Sequence, residues 1–328
     1  MISSQYNLPF YIYAFGHLRV DKARGIAPHK PILLLSIIHQ FELGNISDRK
    51  IYISPELTSS FTDFWNSLVE TNHTKRFALP FYHLSSEKGN WWKFVPNLGC
   101  EIWIENTDSM RSFGNLSIAI DYVELEQNLA KFLLEKSSRD ILRKVLLDNY
   151  FPNKKLQIAD NQGIIYVESL RKEILEESPE AYAINLNAIK NKGDLETYQI
   201  EVYNRGTVFR REICQIYNET CCISGLRVDA PFTISMIDAC HIIPFKETFN
   251  NNPTNGIALC PNLHRAFDRG LISIDENYRV MVSNSFREET SLYGLKQLKN
   301  TEIKLPNNHL YLPSQEHLFW HRNNILKK

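Results

Sequence analysis

Asp238-Ala239-Cys240-His241, then Asn255-Gly256, then His264-Arg265-Ala266-Phe267-Asp268 is the stretch on which the reading of this 328-residue chain turns. A histidine, an asparagine and a second histidine stand there at intervals of 14 and 9 residues. Asp238 to His241 reads as a strand. It follows the apolar-rich Phe232-Thr233-Ile234-Ser235-Met236-Ile237 and runs into Ile242-Ile243-Pro244, where the proline removes a ladder donor. Pro261 to Gly270 reads as a short helix, with Pro261 suited to the first turn and Gly270 to a position just past the end. Within it His264 and Asp268 are four apart, so both project from one face. A strand carrying one histidine, a loop, and a helix offering a His/Asp pair can close around one divalent ion.

Taken singly, each residue has a plainer reading. His241 could be a satisfied core histidine, His264 and Asp268 an exposed helix pair, and Asn255-Gly256 a common turn dipeptide. Together, and with their neighbours, they resemble the HNH nuclease family and its ββα-metal fold. The neighbours are Cys222-Ile223-Ser224-Gly225, Ile242-Ile243-Pro244, Ile257-Ala258-Leu259-Cys260 and Gly270-Leu271-Ile272-Ser273-Ile274-Asp275. The resemblance covers roughly residues 205–285.

The resemblance implies roles that chemistry allows. His241 would be the general base, since a near-neutral imidazole can take a proton from the attacking water. Asn255 would hold the His241 loop by hydrogen bonding. His264 and Asp268 would bind a metal ion that neutralises the scissile phosphate and stabilises the leaving oxygen. One imidazole with carboxylate and phosphate oxygens suits Mn²⁺, Co²⁺ or Ni²⁺ better than Mg²⁺. Mg²⁺ is nonetheless expected to serve in cells through its abundance, and Mn²⁺ to give higher rates in the tube. Many family members place a further ligand immediately before the base, where this chain has Cys240. A thiolate is a poor partner for Mg²⁺, so Asp238 is the better candidate for a third protein ligand, and otherwise has a supporting role. On a regular strand Asp238 shares its face with Cys240 and not with His241.

Composition sets outer bounds. The length suffices for two domains with separate cores, and 43% hydrophobic with 12% aromatic content describes a globular protein. No apolar run approaches the roughly 20 residues needed to span a membrane. Met1 to Tyr6 lacks the basic start and apolar core of a secretory signal. The six cysteines form no C-x-x-C pair, which argues against a structural zinc site and suits a reducing cytoplasm. Net charge is zero, but residues 1–100 carry 10 Lys+Arg against 7 Asp+Glu, residues 101–195 carry 12 against 16, and residues 196–328 carry 15 against 14. The first block is the most positive, and the acidic middle would make a poor DNA face.

Lys30 to Phe41 and Phe61 to Val69 are expected as helices, and Trp91 to Val95 as a strand. Leu116 to about Leu147 is expected to be helical, with Val123, Leu125, Leu129, Phe132 and Leu133 on one stripe, until Pro152-Asn153-Lys154-Lys155 breaks it. A helical stretch near Ile164–Glu177 is followed by a polar run to Gly193-Asp194. Thr207 to Tyr217 is expected as a helix bearing Arg210 and Arg211, available for phosphates; Arg265 is a further candidate DNA contact.

The N-terminal landmarks are Ala27-Pro28-His29-Lys30-Pro31-Ile32-Leu33-Leu34-Leu35, Arg76-Phe77-Ala78-Leu79-Pro80-Phe81-Tyr82-His83-Leu84 and Gly89-Asn90-Trp91-Trp92. This half resembles the sulfur-binding domain upstream of the HNH domain in McrA-type restriction enzymes that recognise phosphorothioate-modified DNA. The resemblance implies an apolar pocket for sulfur at Leu79, Pro80, Phe81 and His83. It implies backbone or base contacts from His29 and Lys30, with Lys75 and Arg76 as further candidates. The family's tyrosine is Leu79 here, its alanine is His83, and Lys30 lacks the planar fork of arginine.

The chain is therefore expected to be α+β: an N-terminal mixed α/β DNA-reading domain over 1–152, a helical connector over 153–195, and a C-terminal ββα-metal HNH nuclease domain over 196–328. The expected function is modification-dependent restriction of double-stranded DNA by a cytoplasmic homodimer, defending its host against phage. The rivals are an HNH enzyme reading a modified base or an unmodified sequence, and a DNA-binding regulator that does not cut.

Overall fold

A computed structural model describes residues 6–23, 25–152, 154, 162–228, 235–289 and 291–328. The expected strand lead-in Phe232-Thr233-Ile234, the break at Asn153 and Lys155, and Met1–Gln5 lie outside the described residues. The chain is a mixture of helix and sheet in two compact units. One comprises Met1–Ser169 with Gly193–Asn204, the other Leu170–Lys192 with Arg205–Lys328. Residues 153–195, expected as a connector, are thus shared between the two.

The first unit runs α1 (Leu8–Gly16), α2 (His29–Glu42), β1 (Lys50–Ile51), α3 (Pro55–Leu68), α4 (Ala78–His83), β2 (Trp92–Pro96), α5 (Glu101–Glu105), α6 (Phe113–Ala119), β3 (Ile120–Leu125), α7 (Gln127–Leu134) and α8 (Lys136–Tyr150). Helix α2 is buried from Lys30 to Phe41, as its unbroken apolar run requires. Helix α3 starts six residues before the expected Phe61, because Ser54 caps it through Leu57 N at 3.2 Å and Pro55 fills its first turn.

The stretch from Leu116 to Leu147 departs from the single helical stripe its periodicity suggests. Ile120–Leu125 is the central strand of an antiparallel sheet ordered β1-β3-β2, with Lys50 opposite Glu124 and Trp92 opposite Leu125. Ile120, Val123 and Leu125 are buried and Asp121 is exposed, so pairing on both sides outweighs the helical spacing. Glu126 then starts α7 by accepting from Asn128 N at 2.8 Å and Leu129 N at 3.2 Å.

Helix α9 (Gln162–Glu176) is followed by α10 (Pro179–Asn191), where a mere connection was expected; Ser178 caps α10 through Ala181 N. Helix α11 (Leu195–Ile216) begins well before the expected Thr207. The second unit then carries β4 (Asp238–His241), α12 (Phe245–Thr248), β5 (Gly256–Leu259), α13 (Pro261–Asp268), β6 (Ile272–Ile274), β7 (Val280–Val282) and α14 (Gln315–Asn324). Strands β4 and β5 pair antiparallel, with Asp238 opposite Leu259 and His241 opposite Gly256. A Cβ on Gly256 would lie 2.4 Å from Ile213 Cδ1 and 2.8 Å from Phe209 Cζ, so close packing on α11 demands glycine there, not turn geometry. Gly270 does follow α13 with a left-handed φ of +69°, as a residue just past a helix end should. Among the described residues no helix is long and apolar enough to cross a membrane.

Candidate active site

Strand β4 is one short edge of the site. The His241 ring stacks on Phe209 of α11, centroids 4.0 Å apart at 10°. Its Nε2 lies 2.9 Å from Asn251 Oδ1. With that amide oxygen accepting, Nε2 carries the proton and Nδ1 keeps its lone pair. Burial pushes the His241 pKa below the ordinary imidazole value and His264 adds to this, while the Asn251 hydrogen bond and Asp268 oppose it. The ring is thus neutral at neutral pH, the form a base must have.

Asn255 is fully buried and clasps the loop between β4 and β5. Its Oδ1 accepts from Ile243 N at 2.9 Å, and its Nδ2 donates to Ile243 O and Asn250 O, each at 3.0 Å. Phe249 reverses the chain in this loop with a left-handed φ of 54°.

Helix α13 presents His264 and Asp268 together, Nε2 to Oδ2 at 3.4 Å. The other ring nitrogen, Nδ1, lies 3.5 Å from Asp238 Oδ2, and Asp238 Oδ1 accepts from Arg210 Nη2 at 3.3 Å. The buried Cys240 thiol reaches Asp268 Oδ1 at 3.7 Å. One potential ligand atom from each of Cys240, His264 and Asp268 falls within 4.8 Å of the others, a spacing that fits a single divalent ion. Asp238, expected as the better third ligand, lies against His264 Nδ1, the ring nitrogen away from Asp268. Burial and the neighbouring Asp268 raise the Cys240 thiol well above its ordinary pKa. A cavity of about 370 Å³ opens over His241, His264 and Asp268, with Phe245, Lys246 and His321 also on its walls.

Residues 221–275 match the family model described as HNH endonuclease. The chain carries an HNH endonuclease domain. No curated protein matches the chain. Among solved structures, a modification dependent TagI restriction endonuclease is 17% identical, over 36% of this chain and 38% of that one, with a TM-score of 0.29. That likeness is too slight to bear on fold or substrate, and the chain spans well under half of that protein.

Around the HNH site, Arg210, Arg211 and Arg265 are all exposed, and Arg210 pairs with Asp238. Sequence reasoning missed Asn251, Phe209 and Lys246. The run Asn250-Asn251-Asn252 was the available hint, since each amide offers both a donor and an acceptor. Nothing in the sequence ties Phe209 to His241.

In the N-terminal unit a second cavity, of about 290 Å³, gathers His29, Lys30, Leu79, Pro80 and His83 with Arg19. Val20 and Ala27 add apolar wall and Asp21 a carboxylate. Phe81 differs from expectation. It is fully buried, stacked near Phe77 and edge-on to Trp92, so it supports the wall from behind. Lys30 is also buried and is ion-paired with Glu87, which accepts from Arg19 N as well. Lys75 and Arg76 do not line the cavity: Lys75 Nζ donates to Thr62 Oγ1 at 3.4 Å, and Arg76 pairs with Glu196 at 3.4 Å. Glu196 accepts from Phe77 N at 2.6 Å and Ala78 N at 2.9 Å, and so caps α4. His29 Nε2 meets Thr74 O at 2.8 Å, and its ring packs on Trp65. Burial lowers the pKa of both His29 and His83, so both line the cavity as neutral rings.

Proposed function

We propose that this protein is a modification-dependent restriction endonuclease that hydrolyses phosphodiester bonds in double-stranded DNA and takes phosphorothioate-modified DNA as its target. The observation that carries the nuclease reading is His241, held through Nε2 by Asn251 Oδ1 at 2.9 Å, beside the His264–Asp268 pair in one open cavity. Nδ1 would take the proton of a water attacking phosphorus, while Asn251 holds the ring's tautomer and Phe209 its plane. Asn255 keeps the loop that presents Asn251 closed. His264 and Asp268 would hold the divalent ion, which supplies charge neutralisation at the phosphate and the leaving oxygen. Lys246, exposed on the cavity wall, would meet a flanking phosphate.

The target reading draws on the N-terminal cavity. Sulfur in place of a non-bridging oxygen is larger and less well hydrated. Leu79, Pro80, Val20 and Ala27 would gain from burying it, whereas an ordinary phosphate oxygen would lose its water there. Arg19 offers the counter-charge, since Lys30 is already held by Glu87. Cutting both strands calls for two active sites, and a homodimer would supply them.

The test is cleavage, with Mn²⁺, of three matched duplexes: unmodified, phosphorothioate-modified in one stereochemistry, and cytosine-methylated. Cutting of the phosphorothioate duplex alone is expected. Cutting of the methylated or the plain duplex instead would keep the nuclease and reject the sulfur reading. Binding without any cutting would favour a regulator.

A further inference from the structure

We propose that Cys240 is a protein ligand of the catalytic ion, completing a Cys–His–Asp set with His264 and Asp268, and that the site takes a thiophilic divalent ion of the Co²⁺ and Zn²⁺ class in preference to Mg²⁺. The inference rests on the nuclease reading of this cavity and concerns which atoms hold the metal.

The distances carry it. Metal–sulfur bonds near ~2.3 Å and metal–nitrogen or –oxygen bonds near ~2.0–2.1 Å give tetrahedral edges of roughly 3.6 Å between sulfur and oxygen and roughly 3.4 Å between nitrogen and oxygen. Cys240 Sγ lies 3.7 Å from one Asp268 oxygen, and His264 Nε2 lies 3.4 Å from the other. All three residues have a ligand atom within 4.8 Å of the rest. The two edges to Asp268 thus match bound dimensions, and the remaining spread of up to 4.8 Å would close as an ion draws the three side chains together. Three protein ligands, of which His264 and Asp268 line the same cavity as His241, would make this a catalytic rather than a closed structural site.

Cys240 reaches this position because β4 alternates. Its thiol falls on the strand face toward α13, where register puts Ile257 opposite, while His241 turns to the other face and Phe209. Asp238 shares the Cys240 face but meets His264 at Nδ1, not at Nε2. A carboxylate on the second nitrogen of a ligating imidazole fixes the ring and raises its basicity, so Asp238 is a positioning residue, itself anchored by Arg210. A thiolate among the ligands disfavours Mg²⁺, which seeks an octahedron of oxygens, and favours Zn²⁺ or Co²⁺. As the sulfur–metal bond forms, the thiol proton is released to solvent.

The experiment is Co²⁺ binding to the full-length protein, read by the sulfur-to-cobalt charge-transfer absorption and by equilibrium dialysis. The wild type is expected to show the band, and Cys221→Ser and Cys260→Ser are expected to keep it. Cys240→Ser should lose the band, and Asp238→Asn should keep it while binding Co²⁺ about 10–100-fold more weakly. A band that survives in Cys240→Ser, or Co²⁺ bound to the wild type without a band, would overturn the assignment. If Cys240→Ser does not fold by circular dichroism, X-ray absorption on the Co²⁺-loaded wild type decides: a sulfur neighbour at about 2.3 Å is expected, and a shell of oxygen and nitrogen alone refutes it. Plasmid cleavage is scored separately. Sulfur-ligated Co²⁺ without cutting would leave the ligand set standing and remove the nuclease reading, whereas cutting with oxygen-and-nitrogen ligation would do the reverse.

Discussion

The HNH unit holds His241 with neighbours supplied by one short motif and one helix, while the N-terminal cavity is gathered from the segment around Arg19 to Lys30 and from α4 and is supported by two glutamates. His241 is fixed by Asn251 from the next loop and by Phe209 beneath it. His29 and His83 come from different helices, and their surroundings rely on Glu87 against Lys30 and on Glu196 at the start of α4. Both sites keep their histidines neutral by burial. The contrast separates two uses of a neutral ring: one with a defined tautomer and a nearby candidate ion site, suited to moving a proton, and others in apolar walls, suited to recognising shape.

The strongest way to break that contrast is His241→Ala. Loss of a positioned base should reduce cleavage by about 10²–10⁴-fold and leave DNA binding nearly unchanged. Substantial cutting by the purified variant would remove His241 from the chemistry. The same assignment fixes a pH profile. Because burial lowers the His241 pKa below the ordinary imidazole value of 6.5, kcat/KM should fall only on the acid side of 6.5 and be flat at neutral pH. A limb that titrates above 7 would contradict it.

A fourth histidine, on the wall of the same cavity as His241, tests the scaffold. His321 of α14 is buried, with Nδ1 at 2.8 Å from Ser273 Oγ, Nε2 at 3.2 Å from Phe267 O, and its ring stacked on Phe267 at 3.7 Å. Burial pushes its pKa down to about 4. The unfolded chain therefore binds a proton between pH 6.5 and about 4 that the folded one refuses, so stability is full above 6.5 and is lost as pH falls through that window. The loss amounts to about 3 kcal/mol. Denaturant melts at pH 7 and pH 4.5 should show it, and His321→Gln should flatten the difference. An unchanged slope in that variant would assign the acid sensitivity elsewhere.

Legibility in sequence follows the same division. The ββα core was readable because its chemistry, its strand-ending Pro244 and its helix-bounding Pro261 and Gly270 all fall within one short stretch. At Cys240 and Asp238 a strand pattern gives a face and not a distance, so it does not show that Cys240 lies against Asp268 and Asp238 against His264 Nδ1. Helical spacing from Leu116 onward misled, because β3 owes its form to partners β1 and β2 that lie far away in the chain. Leu79, Pro80 and His83 were placed on one wall by resemblance, yet Phe81 in the same segment turns inward, since a helix as short as α4 must bury one side. Glu196 was invisible. Its value lies in meeting Phe77 N, Ala78 N and Arg76 across more than a hundred residues.

That remote support gives a smaller, sharper prediction. Glu196→Ala leaves two buried N–H groups and Arg76 without their acceptor, which should cost about 2–3 kcal/mol of stability in the N-terminal unit. Target preference should weaken with it as α4 loosens, while Mn²⁺-dependent nicking of a non-target plasmid persists. A loss of all cutting in step with stability would mean that the two units do not divide the work.

The finest test changes one wall residue and leaves the framework intact. Leu79 is half-buried on the cavity and makes no polar contact that a substitution would strand, so Leu79→Asp should fold. A carboxylate there repels an anionic backbone and removes apolar surface that sulfur would bury. Preference for phosphorothioate over plain duplex should therefore fall by about 1–3 kcal/mol, roughly 5–150-fold in the ratio of kcat/KM values. Leu79→Met, which keeps the apolar surface, should retain the preference. If both variants lose cutting on every duplex alike, Leu79 serves general DNA binding. If neither changes the ratio, the cavity recognises something other than the sulfur, and the division between a proton-moving unit and a shape-reading unit must be redrawn around a different face of the N-terminal half.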